Sequence, residues 1–124
     1  MTRLRQWAFT ALAFAVFTLE ASAHHSSAMF DKTQVREVRA TVKEFQWTNP
    51  HIWIQVLIEN AEGEAEEWSI EGGGTNTLFR RGWRPNSFKA GDEIVIRFYP
   101  MRDGSAAGGF VAAKLADGST LGDW

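Results

Sequence analysis

Apolar positions along this chain fall into two unlike regimes. Trp7 to Leu19 is a run without charge, whereas from Val35 onward apolar residues recur at every second position, the period of a β-strand. Val38, Ala40 and Val42 share one face, and the apolar positions then change parity to Phe45 and Trp47. A side-chain period of two changes phase only where a strand bulges or bends, which predicts a bulge near Lys43-Glu44. Thr48-Asn49-Pro50 predicts a turn, because Pro brings no donor to a sheet and Asn supports local turns. The second strand, Ile52 to Ile58, carries apolar residues on both faces and is expected to be central. After a turn at Asn60 to Gly63 comes a third strand, Glu66 to Ile70, which Gly72-Gly73-Gly74 breaks. Thr75 or Asn76 is then placed to cap a short helix over Thr77 to Arg81, ended by Gly82. Pro85 to Gly91 reads as a loop, and Glu93 to Tyr99 as a fourth strand with Ile94, Ile96 and Phe98 inward. Gly104 to Gly109 reads as a loose loop before a fifth strand, about Phe110 to Leu115, and Asp117-Gly118 turns into a short tail.

Three strands, a short helix and two further strands is the order of an OB-type barrel. The expected fold is therefore all-β with one short helix, an OB-like five-stranded antiparallel barrel over residues 35–124. A long first strand with a bulge supports this, since that strand must curl to pair with both halves of the barrel. A small β-sandwich gives similar alternation and is the alternative. Residues 24–34 show no clear period and read as an extended N-terminal arm.

The first regime has its own logic. Arg3 and Arg5 precede the apolar run, Glu20 stops it, and Ala21-Ser22-Ala23 follows with small residues where a signal peptidase reads them. This is the pattern of a cleavable secretory signal over residues 1–23, and the run is shorter than the roughly 20 apolar residues of a spanning helix. Cleavage after Ala23 would make His24 the first residue. It also leaves 11 basic and 14 acidic side chains, a net charge of −3 that does not favour polyanions. A nucleic-acid partner is discounted on that charge and on the exported location, and no membrane association is expected once the signal is removed. The chain has no cysteine, which excludes disulfides, thiolate metal sites and thiol redox chemistry.

Candidate chemistry centres on the three histidines. His24 and His25 stand at the expected new N-terminus, and His51 follows the first interstrand turn. Imidazole suits copper, zinc and nickel, with copper(II) at the top of the divalent affinity order. A free α-amine, with an ordinary pKa of about 7.7–8.0, adds a donor that a metal can deprotonate near neutrality. His24 through amine and ring, with His51, would form a histidine-brace-like site. Alternatively the His24 amine, the His25 amide nitrogen and the His25 ring form a local square-planar copper(II) site. The arm is long enough to fold back onto His51 at about 3.3–3.6 Å per residue, and that edge is a usual binding edge of OB barrels. No nucleophile motif surrounds any Ser and no H-E-x-x-H pattern occurs, so no catalytic residue is assigned.

A metal-free alternative uses an aromatic barrel face. Trp47, Trp53 and Trp83, with Arg80 and Arg81 beside Trp83, are its candidate contacts for a glycan, a small ligand or a partner protein.

His24-His25-Ser26 with Phe30-Asp31, then Glu44 through Trp53, then Arg80-Arg81-Gly82-Trp83 carry a family likeness. On these residues the chain resembles small exported bacterial proteins classed as a domain of unknown function, which share an HHS start and a TNPH-x-W segment. The resemblance runs through nearly all of the chain after the signal. It implies a periplasmic protein and brings no catalytic residue with it.

Overall fold

The computed structural model describes residues 27–124. Residues 1–23, expected to form a secretory signal, and His24 and His25 lie outside the described residues. The elements run β1 (Arg36–Gln46), β2 (Trp53–Glu59), β3 (Ala65–Glu71), α1 (Thr75–Arg80), β4 (Glu93–Pro100), β5 (Ala107–Leu115) and β6 (Thr120–Gly122). The sheet order is β3-β2-β1-β4-β5-β6, and a further pairing of β3 with β5 closes the first five strands into an OB-like barrel. The closing pair is parallel, joining Ser69, Ile70 and Glu71 to Ala107, Gly108 and Gly109; the other pairs are antiparallel.

Closure depends on β1 belonging to both halves. Residues Arg36 to Thr41 pair with β4 and residues Thr41 to Gln46 with β2. Between them the register skips from Val42 to Glu44. Lys43 is thus the extra residue of the expected bulge, and its Nζ reaches Glu67 Oε2 at 2.6 Å. The parity change has a packing cause. Before the bulge Ala40 and Val42 enter the core; after it Phe45 meets Trp83 and Phe88 at the end of the barrel. The middle is filled by Ile54, Val56, Ile70, Ile96 and Phe98, none with more than 0 % exposure.

Two expectations are corrected. Residues 107–109, expected in a loose loop, are the first part of β5. Gly108 and Gly109 are there for close approach rather than mobility. A Cβ on Gly108 would stand 2.4 Å from Phe98 Cδ2 and 2.7 Å from the Tyr99 carbonyl oxygen. The helix begins at Thr75, not Thr77, and its N-cap Gly74 makes no side-chain cap. The cap comes from another loop: Asn49 Oδ1 accepts from Thr75 N at 3.2 Å and from Thr75 Oγ1 at 2.9 Å. One side chain thus satisfies a helix-end donor and the hydroxyl of a buried Thr. Asn49→Ala is expected to cost about 1–2 kcal/mol, seen as a fall of about 5–10 °C in thermal midpoint, while Asn49→Asp keeps the acceptor and most of the stability. β6 was not expected from the sequence; it pairs Thr120, Leu121 and Gly122 with Lys114, Ala113 and Ala112.

Three exposed turns share one device. Asp31, Asp103 and Asp117 each accept from the hydroxyl and the amide of the residue two positions on, Thr33, Ser105 and Ser119. The side-chain bond first, and then the backbone bond, hold each carboxyl below its ordinary range. A carboxyl lowered in the folded state adds stability above its unfolded value, and that contribution fades as pH falls through the folded one. Stability is therefore expected to decline as pH drops below about 4. Urea midpoints measured against pH should show a flatter acid limb when all three are changed to Asn.

Candidate metal centre

His51 sits in the loop from β1 to β2, and that loop is held at both ends. Thr48 Oγ1 donates to the His51 carbonyl oxygen at 2.8 Å. On the far side Ile52 N donates to Gly73 O at 3.1 Å and Gly72 N to Ile52 O at 2.9 Å. Together with Asn49 on Thr75, these bonds clamp the Thr48–Ile52 loop against the Gly72–Thr75 segment. The glycines make the clamp possible. A Cβ on Gly72 would lie 2.6 Å from the Ile52 side chain, and one on Gly74 would lie 3.2 Å from the Pro50 carbonyl oxygen. The Asn49–Pro50 peptide in this loop is cis.

The ring of His51 has a partner that the sequence reading did not single out. Its Nδ1 pairs with Glu71 Oε1. The Glu71 side chain is 11 % exposed and that of His51 38 %. The carboxylate therefore stands behind the ring and the ring faces solvent. A carboxylate in its ionised form only accepts, so a neutral ring in this position is placed to carry its proton on Nδ1 and its lone pair on Nε2. This is the arrangement by which a carboxylate orients a metal-ligating imidazole.

Glu71 lies in a row that crosses three strand pairs. Trp53 pairs with Glu71, Glu71 with Gly109, and Gly109 with Tyr99. Neighbours in register share a face. The alternate positions Ile54, Ile70 and Phe98 fill the core, so this row lies on the outside of the barrel. The N-terminal arm docks on it. A Cβ on Gly109 would be 2.9 Å from Phe30 Cδ2, so the Phe30 ring, 9 % exposed, occupies the space that glycine leaves. Phe30 also bridges to Met101. Asp31 N donates to Pro100 O at 2.8 Å, Arg102 N to Met29 O at 2.9 Å, and Arg102 Nε to Ala28 O at 3.1 Å. The arm is thus fixed one strand away from Glu71, a spacing of about 4.8 Å.

Among the described residues no group of three His, Cys, Asp or Glu side chains is placed to hold a metal ion. His51 and Glu71 form a pair, and His24 and His25 fall outside the described residues. The other candidates are dispersed. Trp47 and Trp53 are half-buried, with Trp47 edge-on to Phe45 at 5.9 Å between ring centroids. Trp83 is a core residue, 2 % exposed, and Phe110 meets it at 5.0 Å. Arg80 and Arg81 are exposed. Their neighbour Arg84 serves the helix end, donating to Phe79 O at 3.1 Å and to Trp83 O at 2.7 Å. Trp83 and Arg81 do meet at one place, a cleft of about 460 Å³ between α1 and β5–β6 that Tyr99 and Leu121 also line. Trp47, Trp53 and Arg80 do not line it.

Comparison with curated proteins and with solved structures gives no match. A family model does match, over residues 12–110, taking in the His24-His25 pair, the Thr48–Trp53 loop and the clamp around it. The chain belongs to that family, a family of unknown function designated DUF6152.

Proposed function

We propose that this protein is exported to the periplasm and there binds a transition metal, copper above others, through His24, His25 and His51, without catalysing a reaction. The observation that carries this reading is the setting of His51. A rigid loop presents its ring, a nearly buried carboxylate occupies Nδ1, and Nε2 is left for a ligand. A histidine needed only to finish a strand requires no such carboxylate.

The docking of the arm supports a shared site. Phe30 lies one strand from Glu71, and the six residues back to His24 span up to about 20 Å. The α-amine and ring of His24 can therefore reach His51, and the docked arm raises their effective concentration there. With nitrogen donors and no thiolate, the set suits copper(II).

The test is a copper(II) and zinc(II) titration of the processed protein, its N-terminus confirmed as His24 by intact mass. His51→Ala and a form extended by one N-terminal residue are expected each to weaken copper binding at least tenfold. Weakening by the extension alone would restrict the site to His24 and His25. Binding no tighter than that of a short HHS peptide would overturn the proposal.

A second reading, metal-free binding of a small ligand, draws on the cleft that joins Trp83 to Arg81. Its size falls within the range of ligand pockets, about 300–1,000 Å³. Arg81→Ala leaves copper binding unchanged under the first reading, and it weakens ligand capture under the second.

A further inference from the structure

We propose that Glu71 is a positioning residue. It fixes His51 as the tautomer protonated on Nδ1, and so makes Nε2 the nitrogen that meets a metal. The metal half of this inference rests on the function proposed above; the tautomer half does not.

An imidazole that no neighbour directs has a preference of its own. A neutral histidine side chain in water favours the proton on Nε2, which would leave Nδ1, the nitrogen nearer the backbone, as the donor atom. Which nitrogen carries the proton is set by the hydrogen bond the other makes. Here Nδ1 faces a carboxylate whose ionised form has only lone pairs to offer, so this contact favours the neutral ring with its proton on Nδ1. Neither partner is free to drift. Glu71 is on a strand paired on both sides, to Trp53 and to Gly109, and its side chain is 11 % exposed. The His51 backbone is fixed by Thr48 and by the bonds of Ile52 to Gly72 and Gly73. Two rigid elements thus set the ring plane, the condition for a preorganised ligand.

Two consequences follow. The ligating atom is then the ring nitrogen that Glu71 does not meet, on a side chain 38 % exposed. The negative charge behind the ring also makes Nε2 a stronger donor, and loss of such a partner typically lowers metal affinity about 10–100-fold.

The experiment reads the tautomer directly. Long-range ¹H–¹⁵N correlation spectra of the processed, metal-free protein are recorded at a pH where the ring is neutral, for the parent, Glu71→Ala and Glu71→Gln. The parent is expected to show a protonated Nδ1 and a bare Nε2. Glu71→Ala should return His51 to the Nε2–H form. Glu71→Gln retains an acceptor oxygen and should keep the parent tautomer, which also covers the case that the Ala variant does not fold. Copper(II) and zinc(II) affinity should fall about 10–100-fold in Glu71→Ala and less in Glu71→Gln. An Nε2–H ring in the parent, or a folded Glu71→Ala with the parent tautomer, overturns the positioning role. An Nδ1–H parent that binds neither metal keeps the positioning role and overturns the metal site instead.

Discussion

Gly108→Ala is expected to destabilise the barrel by about 3 kcal/mol, the upper part of the usual range for overpacking, and to lower the thermal midpoint by about 10–20 °C. The new methyl would stand 2.4 Å from Phe98 Cδ2 and 2.7 Å from the Tyr99 carbonyl oxygen. Phe98 is fully buried and cannot swing away. Tyr99 is backbone of the paired strand, so relief would require β4 and β5 to separate where β5 also closes the barrel onto β3. Gly73→Ala is the control. Its methyl would meet only Leu78, at 3.8 Å, an ordinary contact, so its midpoint should stay within a few degrees of the parent. Equal midpoints for the two variants, measured by thermal melting, would contradict the packing described for β5.

Gly109→Ala is expected to act on the arm and spare the barrel. Three atoms of the Phe30 ring lie 2.9–3.2 Å from the position of the added methyl. The ring belongs to the arm, which can lift off without opening a strand pair. Losing the burial of Phe30 forfeits about 2 kcal/mol of docking energy, a shift of about 30-fold in the docked population. Amide exchange of Asp31 and Arg102, whose N–H groups join the arm to the barrel, should accelerate accordingly, while the amides of β2 and β3 keep their protection. On the proposed function, copper affinity falls with docking, because the arm histidines lose effective concentration beside His51. Phe30→Ala should give the same pattern by the opposite change in volume. Arm exchange unaltered in both variants would show that Phe30 does not hold the arm.

The barrel was legible in the sequence because β2, β3 and β4 each bury alternate residues. The parity change between Val42 and Phe45 placed the bulge near Lys43-Glu44, where Lys43 forms it, and the order of elements indicated the closure. The start of β5 was not legible, since Gly108 and Gly109 read as flexible when their value lies in what packs against them. The helix cap was missed for a related reason. Local rules look for the cap beside the helix, whereas Asn49 is 26 residues away.

The candidate site was half legible. His51 stood out as an imidazole on a loop at a binding edge. Glu71 did not, because it lies just past the expected third strand, Glu66 to Ile70, with no histidine near it in sequence. A signal was nevertheless present. The hairpin turn pairs Glu59 with Ala65, and counting back along both strands sets Glu71 opposite Trp53, two residues from His51. The arm's docking point was hidden, since nothing local in Phe30 says which glycine will make room for it.

Whether a metal bound as proposed joins arm to barrel is tested most directly by paramagnetic broadening. One equivalent of copper(II) is added to ¹⁵N-labelled processed protein, and the amide spectrum is compared with that of the zinc(II) form. A shared site broadens Asn49, His51 to Trp53, Glu71 and Gly72 together with the arm ahead of Phe30. Broadening confined to the arm, with the Thr48–Trp53 loop and Glu71 intact, would contradict it.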